Sequence, residues 1–331
     1  MAKRNYRKSS KKVQPAVMTM QFNLTNNKDA TYAFDTIDLS KCASALNRRF
    51  YRQGLQWAVA GFTFLSTSTG NITIQKLPNT WMASNAWEKT FRSWNRQQLE
   101  AAEEAGALSA EAKFRDFKIL MDSNHLSDVQ YDGSGVPVGV NDLSPIDIAG
   151  TPVNGGEWQP SQIVIPNFGA PGVNYEPLLM MVGDDVGGAG GAKGMIKGYQ
   201  NSRAYPQSPD PVSPDIGSNV NWFQSMFDVG DNNEDIMDNV TDKNDNLPYD
   251  QVDYPGGDNN FPYLETVDES YITSTTVGGK THMTGSSFPC GLIRIRNQSN
   301  DQAGWTDVVK CFVHLVPGDH RGYLCEPMQD M

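Results

Sequence analysis

Apolar and polar residues alternate with a period of two in several parts of this chain, the pattern of strands with one buried face. Met18, Met20, Phe22 and Leu24 alternate with Thr19, Gln21 and Asn23, which predicts a half-buried strand. A less regular strand is expected over residues 32–39. Residues 55–67 are dense in β-branched and aromatic side chains between glycines, so a long central strand is expected there. A turn at Ser68–Asn71 then leads to a partner at 72–76. Further strands are expected at 113–121, 162–165, 177–182, 264–275, 291–297 and 305–316. In the 291–297 segment Ile293 and Ile295 fall on one face, with Arg294 and Arg296 on the other.

Helical signals are fewer. Residues 40–51 suit a short helix capped by Asp38 or Ser40 and stopped before Gly54. One long helix is expected from the capping-box pair Asn85 and Glu88 to Gly106, with Trp87, Phe91 and Trp94 along one face. That stripe reads as packing rather than a ligand box. Shorter helices are expected at 192–204 and 219–228, loop over 122–160, and an exposed tail or short extra strand from 317 onward. About eight to ten strands with connections of very uneven length fit a sandwich whose successive strands change sheets. Regular strand–helix alternation, which a doubly wound α/β fold needs, is missing. The expected fold is therefore all-β, a single jelly roll of about eight core strands with helices inserted in its loops.

Charge divides the chain. Residues 1–12 hold six basic residues (Lys3, Arg4, Arg7, Lys8, Lys11 and Lys12) and no acid, leaving 21 basic against 38 acidic residues on 13–331, a net charge of −17. The first segment reads as a flexible basic arm and the rest as the folded body. No apolar run approaches the ~20 residues of a membrane span, and no apolar segment follows the basic start as in a secretory signal. The four Asn-x-Ser/Thr sequons, starting at Asn23, Asn71, Asn239 and Asn297, are then not expected to be glycosylated.

Candidate chemistry is sparse. Cys42, Cys290, Cys311 and Cys325 lack zinc-ribbon or disulfide-scaffold spacing and are expected to be buried or partly buried free thiols. His125, His282, His314 and His320 form no HExxH or HxH pattern, and His314 reads as a core or edge histidine. No nucleophile elbow or acid–base constellation stands out, so a hydrolase is disfavoured, and neither enzymatic activity nor a cofactor is expected. Val277–Thr281 ends like a P-loop, but Ser274 stands where the first glycine is required; a hairpin turn is the better reading. Gly187–Gly194 reads as a mobile surface loop. Residues 228–258 carry ten carboxylates against Lys243 alone. Asp242, Asn244, Asn246 and Asp253 match calcium-loop places, but Leu247 replaces the glycine, favouring a solvated acidic loop.

A basic arm binds polyanions by releasing counterions, while the acidic body repels them, so the arm must reach the phosphates with the body held away. A closed shell with arms directed inward meets that demand; the arm is also a candidate nuclear-import signal. Three segments carry a resemblance: Asp38-Leu-Ser-Lys41 through Asn47-Arg-Arg-Phe-Tyr-Arg-Gln-Gly54, then Asn79-Thr-Trp-Met-Ala-Ser-Asn-Ala-Trp-Glu88, and Val313-His-Leu-Val-Pro-Gly-Asp-His-Arg-Gly-Tyr323. In these the chain resembles capsid proteins of small circular single-stranded DNA viruses, the circovirus-like group. The resemblance implies a jelly roll assembling into an icosahedral shell of about sixty copies around a circular DNA genome in the virion. It names no host receptor. The arm is short for that group: six charges on about sixty copies neutralise roughly 360 phosphates, below a genome of a few thousand nucleotides. Arg48, Arg49, Arg52, Arg294 and Arg296 are candidates for the balance, each with an ion pair as the plainer alternative. A different class is a carbohydrate-binding β-sandwich with Trp81, Trp158, Trp222 or Trp305 as a stacking platform.

Overall fold

The computed structural model describes residues 16–25, 32–107, 109, 112–147, 149–153, 156–166, 174–187, 190–201, 263–273, 275, 277–300 and 308–330. The basic arm, the expected helix at 219–228 and the acidic stretch 228–258 lie outside these.

Eight strands among the described residues build a β-sandwich: β1 (Thr19–Asn23), β2 (Ala33–Asp38), β3 (Leu55–Leu65), β4 (Gly70–Lys76), β5 (Glu265–Ile272), β6 (Lys280–Thr284), β7 (Leu292–Ser299) and β8 (Lys310–Leu315). One sheet has the order β1-β8-β3-β6 and the other β2-β7-β4-β5, with every neighbouring pair antiparallel. Alternation sets the faces. Met20 and Phe22 of β1, Phe62 and Phe64 of β3, Ile72 and Ile74 of β4, and Ile293 and Ile295 of β7 all point into one core between the sheets. On the far face of the first sheet, Thr63 Oγ1 lies 2.9 Å from His314 Nε2 and 3.1 Å from His282 Nδ1, and Thr19 Oγ1 lies 3.2 Å from His314 Nδ1. His314 is thus a hydrogen-bonded sheet histidine, half-buried.

Two helices frame the site. α1 (Leu39–Asn47) starts where the Asp38 carboxylate accepts from the backbone N–H of Ser40 and Lys41, and it ends at Arg48 with φ of 53°. α2 (Trp81–Glu104) starts four residues before Asn85: Thr80, in extended backbone, accepts from Ala83 N–H, so the Asn85–Glu88 pair is helix interior and not a capping box. Gly106, with φ of 65°, ends it as expected. Trp87, Phe91 and Trp94 pack on Phe117 in a second core with Leu179, Met181 and Ile196.

Several expectations are corrected. Residues 113–121 do not form a strand; they run extended, bridging Met180 only at Leu120. A side chain stands in for the missing neighbour: Gln53 accepts from Ile119 N–H at 2.6 Å and donates to Ile119 C=O at 3.2 Å. The 122–160 loop holds α3 (Ser123–Ser127) and a hairpin of Val129–Tyr131 with Pro137–Val140. Ala192–Gly194 is a buried strand beside Leu178–Met180 rather than mobile loop, and the expected helix at 192–204 begins at Met195 as α4 (Met195–Asn201). The turn at Val277–Gly279 joins β5 to β6 in opposite sheets and is no hairpin; Gly278 and Gly279 meet its φ values of 71° and 61°. Of the two readings for the C-terminal segment, the short extra strand holds and the exposed tail does not: Cys325–Pro327 pairs with β3, and Tyr323 and Met328 are buried. Cys42, Cys290 and Cys311 are buried and Cys325 is partly so, all as free thiols.

Candidate nucleic-acid interface

Lys3, Arg4, Arg7, Lys8, Lys11 and Lys12 lie outside the described residues, but the chain that follows them is anchored at one point. Val17 N–H donates to Asn47 Oδ1 at 3.1 Å, and Tyr323 Oη donates to Val17 C=O at 2.8 Å while accepting from Asn47 Nδ2 at 2.7 Å. The C-terminal end of α1 therefore holds the root of the arm. The loop that leaves α1 there is Arg48-Arg49-Phe50-Tyr51-Arg52, with Arg48 and Arg52 exposed. Arg321 reaches the same loop, donating to Phe50 C=O, and Tyr51 Oη donates to Arg321 C=O at 3.1 Å. The structure thus brings Arg48, Arg49 and Arg52 to the arm's point of attachment.

Beside that loop opens a cleft of about 750 Å³, walled by α1, Phe50, the 112–118 segment and residues 156–162. Its cations are Lys41, Lys113, Arg115 and Lys118, against the acids Asp116 and Glu157. Cations lie over aromatic faces throughout. Lys113 Nζ is 5.3 Å from the Phe114 centroid, Lys118 Nζ 4.6 Å from Trp158, Arg115 Cζ 4.5 Å from Trp94, and Arg52 Cζ 5.5 Å from Phe50. Phe114 is 58% exposed and leans on Phe50 with centroids 5.3 Å apart. Arg115 is braced by Gln98 Oε1 at 2.8 Å and Asn95 Oδ1 at 2.9 Å, both on α2. Burial pulls Lys118 below the usual lysine range, against the nearby carboxylates of Asp116 and Asp38. Burial likewise pushes Asp116 up, although Arg52 pairs with it at 3.3 Å.

Beneath the cleft lies a closed polar network. Asp38 Oδ2 accepts from Trp158 Nε1 at 2.8 Å and from Gln53 Nε2 at 3.1 Å. Lys41 Nζ bonds Asp142 at 3.2 Å, and His125 Nε2 lies 2.8 Å from the same carboxylate. Met121 N–H donates to His125 Nδ1, so Nε2 carries the proton toward Asp142. Burial raises Asp142, but His125 and Lys41 more than offset it and hold the carboxyl below its usual range. The free space here is about 10 Å³, too little for a substrate. This network fixes Trp158 and Gln53, and through them the cleft's floor and wall.

Arg294 and Arg296 do not belong to this interface. Arg294 is fully buried, pairs with Asp122 at 2.7 Å and lies 5.7 Å from the Phe34 centroid, while Arg296 sits 3.2 Å over Tyr32. On the second face of β7, Arg294 meets Asp122 of the β4–β5 connection and Phe34 of β2, and Arg296 meets Tyr32 just before β2. Of the four tryptophans considered for a sugar platform, Trp158 is buried, Trp81 is half-buried, and Trp222 and Trp305 lie outside the described residues. The cleft itself was missed in the sequence because Lys113-Phe114-Arg115-Asp116-Phe117-Lys118 reads equally as strand alternation; its basic–aromatic interleaving is the signal that finds it.

Among the described residues no three His, Cys, Asp or Glu side chains gather as metal ligands, and no helix is long and apolar enough to cross a membrane. No protein-family model, curated protein or solved structure matches this chain.

Proposed function

We propose that this chain is the structural subunit of a viral capsid, a single jelly roll that closes with its copies into an icosahedral shell around a single-stranded DNA genome. The observation that carries this reading is the strand order, β1-β8-β3-β6 facing β2-β7-β4-β5. First and last strands pair, and every connection except β4 to β5 crosses between the sheets, as when two Greek keys roll up together. The long insertion sits at that one exception.

Charge supports the same reading. Six cations precede a body of net charge −17, and the arm's root lies beside Arg48, Arg49 and Arg52. The exposed Arg48 adds to the arm's roughly 360 charges per shell of about sixty copies, while Arg52 is paired with Asp116. Light scattering on purified full-length protein, with negative-stain microscopy of the same fractions, tests the proposal. Uniform closed particles are expected, and a stable monomer at every salt concentration and pH tried would overturn it.

A further inference from the structure

We propose that the cleft between Phe50, Phe114 and Trp158 is a second nucleic-acid site, separate from the arm, which takes a single-stranded segment. A base stacks on Phe114, and Lys113, Arg115 and Lys118 hold the flanking phosphates. The inference rests on the capsid reading only for the identity of the cargo.

Three observations converge on it. First, the volume of about 750 Å³ lies in the range of ligand sites, and its wall includes an exposed aromatic ring. Exposing 58% of a phenylalanine costs hydrophobic free energy that a stacked base recovers. Second, Lys113, Arg115 and Lys118 face Glu157 in the cleft, since Lys41 is paired with Asp142 and Asp116 with Arg52, in a chain whose net charge is −11. Cations interleaved with aromatic faces suit a ligand with both π-surfaces and phosphates, whatever its sequence. A neutral sugar has no use for the cations. Third, the cleft shares a helix with the arm's root: Ser44 and Ala45 of α1 line it, and Asn47 on the same helix binds Val17.

The test is fluorescence anisotropy of a labelled twelve-nucleotide oligothymidine, titrated with full-length chains over a salt series. A full-length variant with Lys3, Arg4, Arg7, Lys8, Lys11 and Lys12 all changed to alanine should still bind, with a log–log salt slope near −2 for three remaining contacts; about −6 is expected with all nine. In that background Phe114→Ala should weaken binding about tenfold or more without altering the slope, and Phe114→Trp should restore it. Lys113→Ala should reduce the slope by about 0.7. Phe114 is exposed, so unchanged thermal unfolding of Phe114→Ala verifies its fold. The proposal is overturned if the arm-neutralised chain fails to bind at low salt, if Phe114→Ala binds as its parent does, or if a neutral oligosaccharide displaces the DNA. Particle formation is scored separately. Closed shells with no Phe114 effect would defeat the cleft alone, and a Phe114 effect in a chain that never assembles would defeat the capsid reading alone.

Discussion

Asp38 is where the fold and the site depend on one side chain. Its carboxylate caps α1 through Ser40 and Lys41 and holds Gln53 and Trp158, so four donors converge on two oxygens. Burial, with Asp142 beside it, nevertheless pushes the carboxyl up to about 6. Between the unfolded value near 3.8 and about 6 the folded chain keeps a proton that the unfolded chain releases, so Asp38's contribution to stability is greatest at low pH and declines as pH rises through that window. Burial raises Asp35 and Asp116 too, in the same direction. Asp142 works oppositely, losing its contribution as pH falls below the ordinary carboxylate value. Asp38→Asn should therefore flatten the fall in Tm between pH 4 and 6, and lower Tm throughout because an amide accepts at one atom only. Its cost should be about 1–3 kcal/mol, read by urea unfolding. An unchanged pH slope would assign the titration to another group. Arg294 gives a second residue-scale test. Asp122→Ala leaves the guanidinium buried without its carboxylate and also uncaps α3, so a loss of about 3–5 kcal/mol is expected in the same unfolding assay; a loss below about 1 kcal/mol would contradict the pairing.

At the scale of elements, the strands with one clean apolar face were legible and those without were not. Met20 and Phe22 in β1, or Ile293 and Ile295 in β7, announce a buried side with period two. β6 was missed because Met283 is the one apolar residue in Lys-Thr-His-Met-Thr; pairing with β3, not composition, makes it a strand. Residues 113–121 were misread for the opposite reason. Their apolar positions pack under α2, and Gln53 supplies the hydrogen bonds that a neighbouring strand would have given. The cleft inherits that ambiguity, since Phe114 and Phe117 look alike in sequence while one is exposed and the other buried. Thr80 displaces the expected cap of α2 because extended backbone, which the sequence spacing does not report, decides which side chain can cap. The join after β6 makes a prediction of its own. A Cβ on Gly285 would sit 2.0 Å from Val59 O and 2.5 Å from Ala60 C, so Gly285→Ala must push Ser287–Phe288 off β3. We expect a cost of about 3 kcal/mol or failure to accumulate folded protein, checked by thermal unfolding of the purified variant.

For the whole molecule, the capsid account is an account of polarity. Residues 13–331 carry a net charge of −17, and one end of the sandwich gathers the arm's root, the Arg48–Arg52 loop and the basic–aromatic cleft. Removing residues 1–12 should lower the nucleic acid carried per particle, read from the ratio of absorbance at 260 and 280 nm, while particles still form because all eight sandwich strands, from Thr19 onward, are kept. Equal nucleic acid in truncated particles would deny the arm its part. The most direct measurement is electron cryomicroscopy of assembled particles, resolved well enough to place α1 and β1. The account predicts that Ala16, Val17, the loop at Arg48–Arg52 and Phe114 face the lumen, with density for cargo against them. Particles with that end turned to the exterior, or a lumen lined by the acidic surface alone, would contradict it.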